Sequence, residues 1–323
     1  MTVGKHAKDI LSHSPTGPSY SLLAVIVEIL DLVGVSNIGD YIPLLAWMDL
    51  QGCVRRSKVL SQKLRAIFGE IINERRNERR NRDGEIADVD FLDVLLTASS
   101  NQTEVPITDV HIMGILANMF AGGIDTSAIT VEWALAELLK HPHTLKKLQD
   151  ELSSEVGSTR LVQESDVGNL PYLRAIVKET MKLHPVLPLL VPHTAKQQCQ
   201  VNGYDIPSST IAFVNVWAIG REPTVWENPL EFYPDRFLYS NIDLQGQHFE
   251  LLPFGSGRRA CPGLALGISN VYLMLANLVH VFDWAAVEEL DLTEKFGIVC
   301  KLANPLVAKA VMRVHRKVIE TET

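Results

Sequence analysis

The chain has 323 residues, of which 46% are hydrophobic and 21% charged. These proportions are typical of globular proteins and exclude a disordered, collagen-like or low-complexity chain. Its 30 basic and 38 acidic residues leave a formal net charge of −8. This balance argues against general nucleic-acid binding, which needs a clustered basic surface.

The cysteines are widely spaced and form no C-x-x-C pair: Cys53, Cys199, Cys261 and Cys300. This spacing argues against a disulfide framework or a thiolate zinc site and favours a reducing compartment. The polar N-terminus lacks the apolar core of a signal peptide. The apolar stretch 20–35 is too short for a bilayer, and the stretch 264–282 is interrupted by polar residues. We therefore expect a core helix at 264–282 and no membrane span.

Helices are predicted for the first half of the chain. An apolar helix starts near Tyr20, a connection rich in Gly and Pro follows, and a long amphipathic helix begins at Gly52. Its end is rich in arginine, interleaved with Glu74 and Glu78: Arg75, Arg76, Arg79, Arg80 and Arg82. This run could bind an acidic partner or lipid headgroups, but a solvated helix end with i,i+3 and i,i+4 ion pairs is favoured.

A longer apolar pattern follows, with Thr108 as a candidate N-cap. It predicts one helix from Ile107 to Lys140, about 50 Å long at a rise of 1.5 Å per residue. A further helix is predicted to restart at Pro142, and another covers Tyr172–Leu183.

Short strands and irregular chain are predicted beyond these helices. Asn202-Gly203 between β-prone runs predicts a hairpin, and Thr210–Val216 alternates like a strand. Residues 221–254 predict an irregular meander, followed by an apolar helix and a tail of strand and loop. Because neither a repeat nor a linker is found, we predict one mainly α-helical domain with small β-sheets over residues 1–323.

The strongest chemical signal is the sequence PFGSGRRACPG at 253–263. A cysteine in a glycine-rich turn before a helix meets the helix dipole and free N–H groups, which favour thiolate over thiol. The neighbouring Arg258 and Arg259 could bind carboxylates. Cys261 is then a metal ligand or a nucleophile, or alternatively a structural cysteine in a tight turn. A phosphate loop is disfavoured, because no Lys-Ser/Thr follows Gly257.

A second signal lies in the middle of the long predicted helix, at Gly122–Ser127, GGIDTS. Each glycine inside a helix costs about 1 kcal/mol relative to alanine, and the following Asp125 and Thr126 are poor helix formers. A threonine hydroxyl can also bond to a carbonyl of the preceding turn and bend the helix. The pattern suits a ligand lying flat on the helix, or alternatively a glycine pair required by packing.

The pattern F-x-x-G-x-R-x-C-x-G is matched in full by five residues: Phe254, Gly257, Arg259, Cys261 and Gly263. It resembles the haem-binding loop of the cytochrome P-450 monooxygenases. Residues 122–127 resemble the family's oxygen-activation motif, KETMKLHP at 178–185 its E-x-x-R helix, and FYPDRF at 232–237 its meander motif. The order of the motifs and the stretch WAIGREPTVWENPLEF resemble the plant microsomal type.

The resemblance implies a cytochrome P-450-like haem domain with a long central helix and small sheets. Cys261 would be the axial thiolate ligand of the iron in haem b, iron protoporphyrin IX. Arg259 and His193 would meet the haem propionates, Phe254 would pack near the thiolate, and Gly263 would let the chain turn into the helix.

The resemblance also implies the chemistry. Asp125 and Thr126 would organise water and deliver protons to dioxygen. One oxygen atom would enter a small apolar or phenolic plant secondary metabolite. Electrons would come from NADPH through a flavoprotein reductase docking near the basic side of the haem loop. The family resides on the cytoplasmic face of the endoplasmic reticulum membrane, so a membrane surface is a further expected partner, whereas a chain without an anchor could be cytoplasmic.

Two departures from the family pattern stand out. Lys182 occupies the position of the E-x-x-R arginine, three residues after Glu179 and on the same helix face. In the family, this acid and arginine lock onto the meander arginine, here Arg236. An ammonium cannot form the planar guanidinium fork, so we expect weaker haem retention or a less stable core. The family's anchor, proline-rich hinge and W-x-x-x-R helix have no counterpart here, so the chain resembles the C-terminal part of a monooxygenase.

Two other functions remain open at this point. One is a non-catalytic or haem-poor fragment that acts at most as a binding partner. The other is a cysteine hydrolase using Cys261 with His184 or His193 as the base, which would need activity without haem.

Overall fold

The computed structural model describes residues 21–81, 90–100, 106–295 and 297–314. They form two compact units, one ending at Asp125 and the other beginning at Thr126. The polar N-terminus and Arg82, for which the sequence made predictions, lie outside the described residues.

The first unit is helical in its described part. Its elements are α1 (Leu22–Val33), α2 (Ile38–Tyr41), a 3₁₀ turn (Pro43–Met48), α3 (Cys53–Asn81), α4 (Phe91–Ser100) and α5 (Asp109–Gly123). Apolar side chains of α1, α3, α4 and α5 form its core, where the rings of Phe68 and Phe120 stack with centroids 6.0 Å apart. The predicted N-cap is confirmed, since the N–H of Thr108 donates to Nδ1 of His111 in a capping box.

The arginine-rich end of α3 makes ion pairs within this unit. Nε of Arg75 makes the i,i+3 pair with Glu78, as predicted, at 3.2 Å. Its Nη1 also lies 2.8 Å from a carboxylate oxygen of Asp90 and 2.8 Å from one of Asp93, both largely buried. Arg75 therefore joins α3 to the start of α4, which the sequence did not predict.

The prediction of one helix from Ile107 to Lys140 is wrong in its continuity. The structure has α5, ending at Gly123, and a separate helix α6 (Asp125–Lys140), with Ile124 between them. Two consecutive glycines weaken the end of α5, and Asp125 is a residue type that stabilises a helix N-terminus. The motif that we singled out thus marks a helix boundary.

The second unit contains the remaining described elements. Its helices are α6, α7 (Pro142–Val156), α8 (Pro171–Leu183), α9 (Val216–Ile219) and α10 (Leu264–Val281), with 3₁₀ turns at Glu164–Asn169, Pro234–Phe237 and Gly257–Arg259. Leu148, Leu173 and Leu275 are fully buried where α7, α8 and α10 pack together. As predicted, α10 is a core helix, and residues 221–254 are an irregular meander with one 3₁₀ turn.

The strands are short. They are β1 (His193–Thr194), β2 (Cys199–Val201), β3 (Tyr204–Ile206), β4 (Ile211–Ala212), β5 (Phe282–Ala286), β6 (Glu294–Lys295), β7 (Lys301–Leu302) and β8 (Ala308–Met312). Among the described residues they pair antiparallel as β1–β4, β2–β3, β5–β8 and β6–β7. The β2–β3 turn confirms the predicted hairpin, with φ of 47° at Asn202 and 84° at Gly203.

The predicted strand Thr210–Val216 is mostly wrong. Only Ile211–Ala212 is a strand, because Asn215 caps a short helix by accepting the N–H of Ala218 at 3.0 Å. The alternating pattern of the sequence did not reveal this cap.

Three helical stretches are long and apolar enough to cross a membrane by length and composition alone: Leu22–Tyr41, Asp109–Lys140 and Leu264–Val281. The first extends beyond the stretch 20–35 that the sequence suggested. The third is α10, one face of which packs in the core of the second unit.

Candidate functional site

The glycine-rich loop before α10 presents Cys261 at the end of a tight turn. Gly255 and Gly257 have φ of 71° and 72°, in the left-handed region that glycine adopts without a steric penalty. The N–H of Cys261 donates to the carbonyl of Phe254 at 2.9 Å and closes the loop. The loop therefore holds the cysteine backbone fixed immediately before the helix.

Cys261 is exposed. A β-carbon at position 263 would lie 3.8 Å from Sγ, so Gly263 keeps the space next to the sulfur open. Cys300 is the opposite case, because burial first and then Glu294 raise the pKa of its thiol to about 12. Of these two cysteines, Cys261 is therefore the one available to an external ligand.

Two neighbours fix the loop from outside. A β-carbon at Gly267 would lie 3.7 Å from Cε1 of Phe254, so the phenylalanine ring lies against the first turn of α10. Gly246, with φ of 80°, approaches so closely that a β-carbon there would be 2.6 Å from the carbonyl oxygen of Gly255. The hydroxyl of Ser256 also donates to the Gly246 carbonyl at 2.7 Å. The meander thus supports the loop.

Two arginines adjoin Cys261 in the chain, and His193 lies on a separate strand. Arg258 and Arg259 are exposed on the 3₁₀ turn that precedes the cysteine. His193 is exposed on β1, where it pairs with Ala212 of β4. The turn and β1 can thus offer guanidinium and imidazole groups to carboxylates.

Asp125 and Thr126 are the first two residues of α6, and both are partly buried. The carbonyl of Thr126 accepts the hydroxyl of Thr130 at 2.9 Å, an example of the backbone bonding that we expected from threonine. Among the described residues, a β-carbon at Gly122 or Gly123 would meet no atom within 4 Å. Packing therefore does not explain the glycine pair, and an open helix surface fits better.

The E-x-x-K helix forms a buried ion cluster. Nζ of Lys182 lies 3.1 Å from Oε1 of Glu179, and Nε of Arg236 lies 2.9 Å from Oε2 of the same carboxylate. Burial raises the pKa of Glu179, opposed by Lys182 and Arg236, and burial lowers the pKa of Lys182, opposed by Glu179. Lys182 thus takes part in the interaction that the family motif assigns to arginine.

Lys182 makes one further hydrogen bond, to a backbone carbonyl. Nζ of Lys182 donates to the carbonyl of Pro229 at 2.9 Å and lies 5.6 Å from the centroid of the Trp226 ring. Arg236 reaches the carbonyls of Glu227 and Asn228. These backbone acceptors, which join α8 to the meander, were not identified from the sequence.

His184 is committed to a different cluster. It is buried, its ring stacks on Trp133 with centroids 3.9 Å apart, and its Nε2 lies 2.7 Å from Oε1 of Glu137. Its Nδ1 lies 3.5 Å from Oε1 of Glu294, without hydrogen-bond geometry. These contacts argue against His184 as the base of a cysteine hydrolase. The sequence analysis missed Glu137, whose signal was an acid within the apolar run WALAELL.

The residues around Cys261 can be compared with what haem binding requires. An exposed sulfur beside an open glycine can supply one ligand, and the arginines can bind acidic groups of the same molecule. The residues therefore fit a metal carried in a larger, carboxylate-bearing group, as haem is.

Comparison with known proteins finds a matching family model and similar relatives. Residues 11–307 match the family model described as Cytochrome P450. A flavonoid 3'-monooxygenase of Crocosmia x crocosmiiflora is 43% identical over 304 residues, which cover 91% of this chain and 58% of that protein. A flavonoid 3',5'-hydroxylase of Petunia hybrida is 46% identical over 296 residues, which cover 90% of this chain and 58% of that protein.

A solved structure also resembles this chain. A zebra fish cytochrome P450 with progesterone has a TM-score of 0.73 and 27% identity, over 92% of this chain and 67% of that one. The chain spans less than three fifths of the length of the two flavonoid hydroxylases.

Proposed function

Because the chain belongs to the cytochrome P450 family, we propose that it binds haem through Cys261 and acts as a monooxygenase on a flavonoid or a related phenolic compound. The observation that carries this proposal is the loop geometry, in which two left-handed glycines and a closing hydrogen bond present an exposed sulfur before α10. The flavonoid class is supported by relatives whose names describe flavonoid hydroxylases.

The loop residues would hold the haem. Cys261 would ligate the iron, Phe254 would pack beside the ligand, and Gly263 would leave room for the porphyrin next to the sulfur. The exposed Arg259 and His193 would bind the propionates. When bound, haem supplies the activation of dioxygen, which no amino-acid side chain can perform.

The overall reaction would consume the substrate, one dioxygen, one NADPH and one proton. It would yield the hydroxylated substrate, water and NADP⁺, so that one oxygen atom enters the product and the other leaves as water. A flavoprotein reductase would deliver the two electrons, and it would dock near the basic side of the haem loop, where Arg258 is exposed.

Asp125 and Thr126 would handle the protons. Both lie in the first turn of α6, next to two glycines that leave the helix surface open. The Thr126 hydroxyl would hold a water or proton donor at the site of oxygen chemistry, and the Asp125 carboxylate would relay protons from solvent.

A membrane location would suit the first unit. Leu44 and Trp47 of the 3₁₀ turn after α2 are 84% and 82% exposed, and Leu22–Tyr41 is one of the stretches apolar enough to span a bilayer. Such side chains partition favourably into a lipid interface. We infer residence at the endoplasmic reticulum membrane, with the chemistry on its cytoplasmic side.

The decisive experiment is the difference spectrum of the reduced, carbon-monoxide-bound protein. Wild type should show a thiolate-type Soret band, Cys261→Ser should lose it, and Cys199→Ser, which changes an exposed cysteine on β2, should keep it. A band that survives Cys261→Ser would contradict the ligand assignment.

A second function is a haem-poor, non-catalytic protein that only binds a partner. It is favoured by one observation, that Lys182 takes the place of the motif arginine in the buried pair with Glu179. Absence of haem uptake by the folded wild-type chain would support this alternative.

A further inference from the structure

A short hairpin near the C-terminus is fastened to helix α6. Its strands are β6 and β7, and the N–H of Ala303 donates to the carbonyl of Thr293 at 2.8 Å beyond the paired residues. The segment that continues from β7 to Leu306 has no strand partner in the described residues. Contacts other than strand pairing must therefore hold it.

Two adjacent residues of α6 provide those contacts. Nε1 of Trp133 donates to the carbonyl of Cys300 at 3.1 Å, and Oε1 of Glu132 accepts the N–H of Leu306 at 2.9 Å. The hairpin thus meets a donor at one end and a carboxylate acceptor at the other. A hydrogen bond to an ionised carboxylate is stronger than one between neutral groups. Because each hydrogen bond needs its donor and acceptor in register, a shift of the hairpin along α6 would break both.

We call these two hydrogen bonds the clamp. Apolar packing places it close to the residues proposed for the oxygen chemistry. Ile129 of α6 and Leu302 of β7 are buried in one cluster, against which Leu306 packs. Ile129 follows Thr126 by about one helical turn. The N–H of Cys300 also donates to the carbonyl of Val186 at 2.7 Å, and Val186 begins the segment that leads to His193.

We propose that Glu132 and Trp133 are positioning residues that clamp the segment Cys300–Leu306 onto α6 and thereby set how a substrate fits beside Thr126. This inference rests on the proposed monooxygenase function for its effect on substrate. The clamp holds a hairpin that touches two elements, α6 and the segment from Val186, and each carries a proposed site residue. Because Cys261, the proposed iron ligand, lies outside this hairpin, loosening the clamp should alter the fit of the substrate beside Thr126 while the thiolate ligand stays in place.

The first test is amide hydrogen exchange in the haem-loaded full chain, followed in peptides that contain Leu306. Glu132→Ala removes the acceptor and should accelerate exchange there by about tenfold, since one charge-assisted hydrogen bond is lost. Glu132→Gln keeps an acceptor oxygen but loses the charge, so its exchange should be only slightly faster than that of wild type and clearly slower than that of Glu132→Ala. Trp133→Phe keeps a ring to stack on His184 but loses the donor, and it should accelerate exchange around Cys300.

The second test uses naringenin, a flavonoid with one hydroxyl on its pendant phenyl ring, as the substrate probe. Glu132→Ala should raise KM several-fold more than it lowers kcat and should alter the ratio of hydroxylated products, while the Soret band stays that of wild type. Glu132→Gln should retain the wild-type ratio.

Unchanged exchange in Glu132→Ala, or equal acceleration in Glu132→Gln, would overturn the clamp. Faster exchange with an unaltered KM and product ratio would overturn the positioning role. If haem-loaded wild type oxidises no flavonoid, the proposed substrate class fails, while the exchange pattern still decides whether the clamp exists.

Discussion

The ammonium of Lys182 lies 3.1 Å from Oε1 of Glu179, in a site where neither side chain is exposed to solvent. A buried pair of this kind depends on complete hydrogen bonding, since each ion has lost its hydration. The Glu179 carboxylate is well supplied, with Lys182, Arg236 and the N–H of Tyr233 as donors. The ammonium relies on Glu179 and the single carbonyl of Pro229. Lys182 is therefore less completely hydrogen-bonded than Glu179.

The first prediction concerns this lysine. Lys182→Arg should raise both the melting temperature and the haem content of the purified protein, because a guanidinium offers five donors in a planar fork. Lys182→Met leaves Glu179 with less compensation and should cost about 3 kcal/mol of unfolding free energy. Thermal denaturation and the haem-to-protein absorbance ratio measure these effects, with Lys140→Arg at the exposed end of α6 as the control. Unchanged haem content and stability in Lys182→Arg would contradict the prediction.

A second prediction concerns the close approach that keeps this lysine in place. A β-carbon at Gly220, at the end of α9, would lie 2.3 Å from the backbone oxygen of Lys182. Gly220→Ala should therefore destabilise the fold by about 3 kcal/mol, since backbone cannot move aside as a flexible side chain does. Gly168→Ala is the control, because a β-carbon there meets no described atom within 4 Å. Urea denaturation of the two variants compares them, and equal midpoints would reject the clash.

Local sequence features predicted local structure well. Glycine and asparagine favour positive φ, so residue type alone indicates the turns of the Cys261 loop and of the Asn202-Gly203 hairpin. Both turns are found where they were expected. The P450-like, mainly α-helical fold is confirmed by the family match and by the solved relative. The assignment of one domain to residues 1–323 and the roles of the site residues stay predictions.

Long-range contacts could not be predicted in the same way. The acceptor for Lys182 is the carbonyl of Pro229, and the partner of Glu132 is the N–H of Leu306. Every residue has a backbone carbonyl and every residue but proline an N–H, so no residue type marks the group that is used. The break at Ile124 was not predicted because the apolar periodicity continues across it. The two preceding glycines nevertheless end the helix there.

A third prediction concerns the arginine-rich end of α3. Arg75→Met removes the cation between Asp90 and Asp93, whose side chains are 8% and 3% exposed. The two carboxylates would then repel each other in a poorly solvated site, and the unfolding free energy should fall by about 3 kcal/mol. In Arg80→Met, which changes an exposed arginine of the same helix, the unfolding free energy should fall by less than about 0.5 kcal/mol. Chemical denaturation distinguishes the two, and similar losses would favour a diffuse charge effect over this ion cluster.

A fourth prediction concerns pH and the carboxylate of Glu294. The interaction with the His184 ring, followed by Arg221 and Trp217, holds the pKa of Glu294 below its ordinary value of 4.5, against the opposing effect of burial. A carboxyl group with a lowered folded-state pKa stabilises the fold above its unfolded pKa, and this contribution disappears as the pH falls through the folded-state value. The difference in unfolding free energy between wild type and Glu294→Gln should thus be largest near neutral pH. It should shrink steadily below about pH 4.5, as the unfolded chain and then the folded chain take up the proton. Urea titrations at several pH values measure it, with Glu289→Gln at an exposed position as the control. A difference that stays constant or grows on acidification would show that the Glu294 carboxylate charge does not stabilise the hairpin.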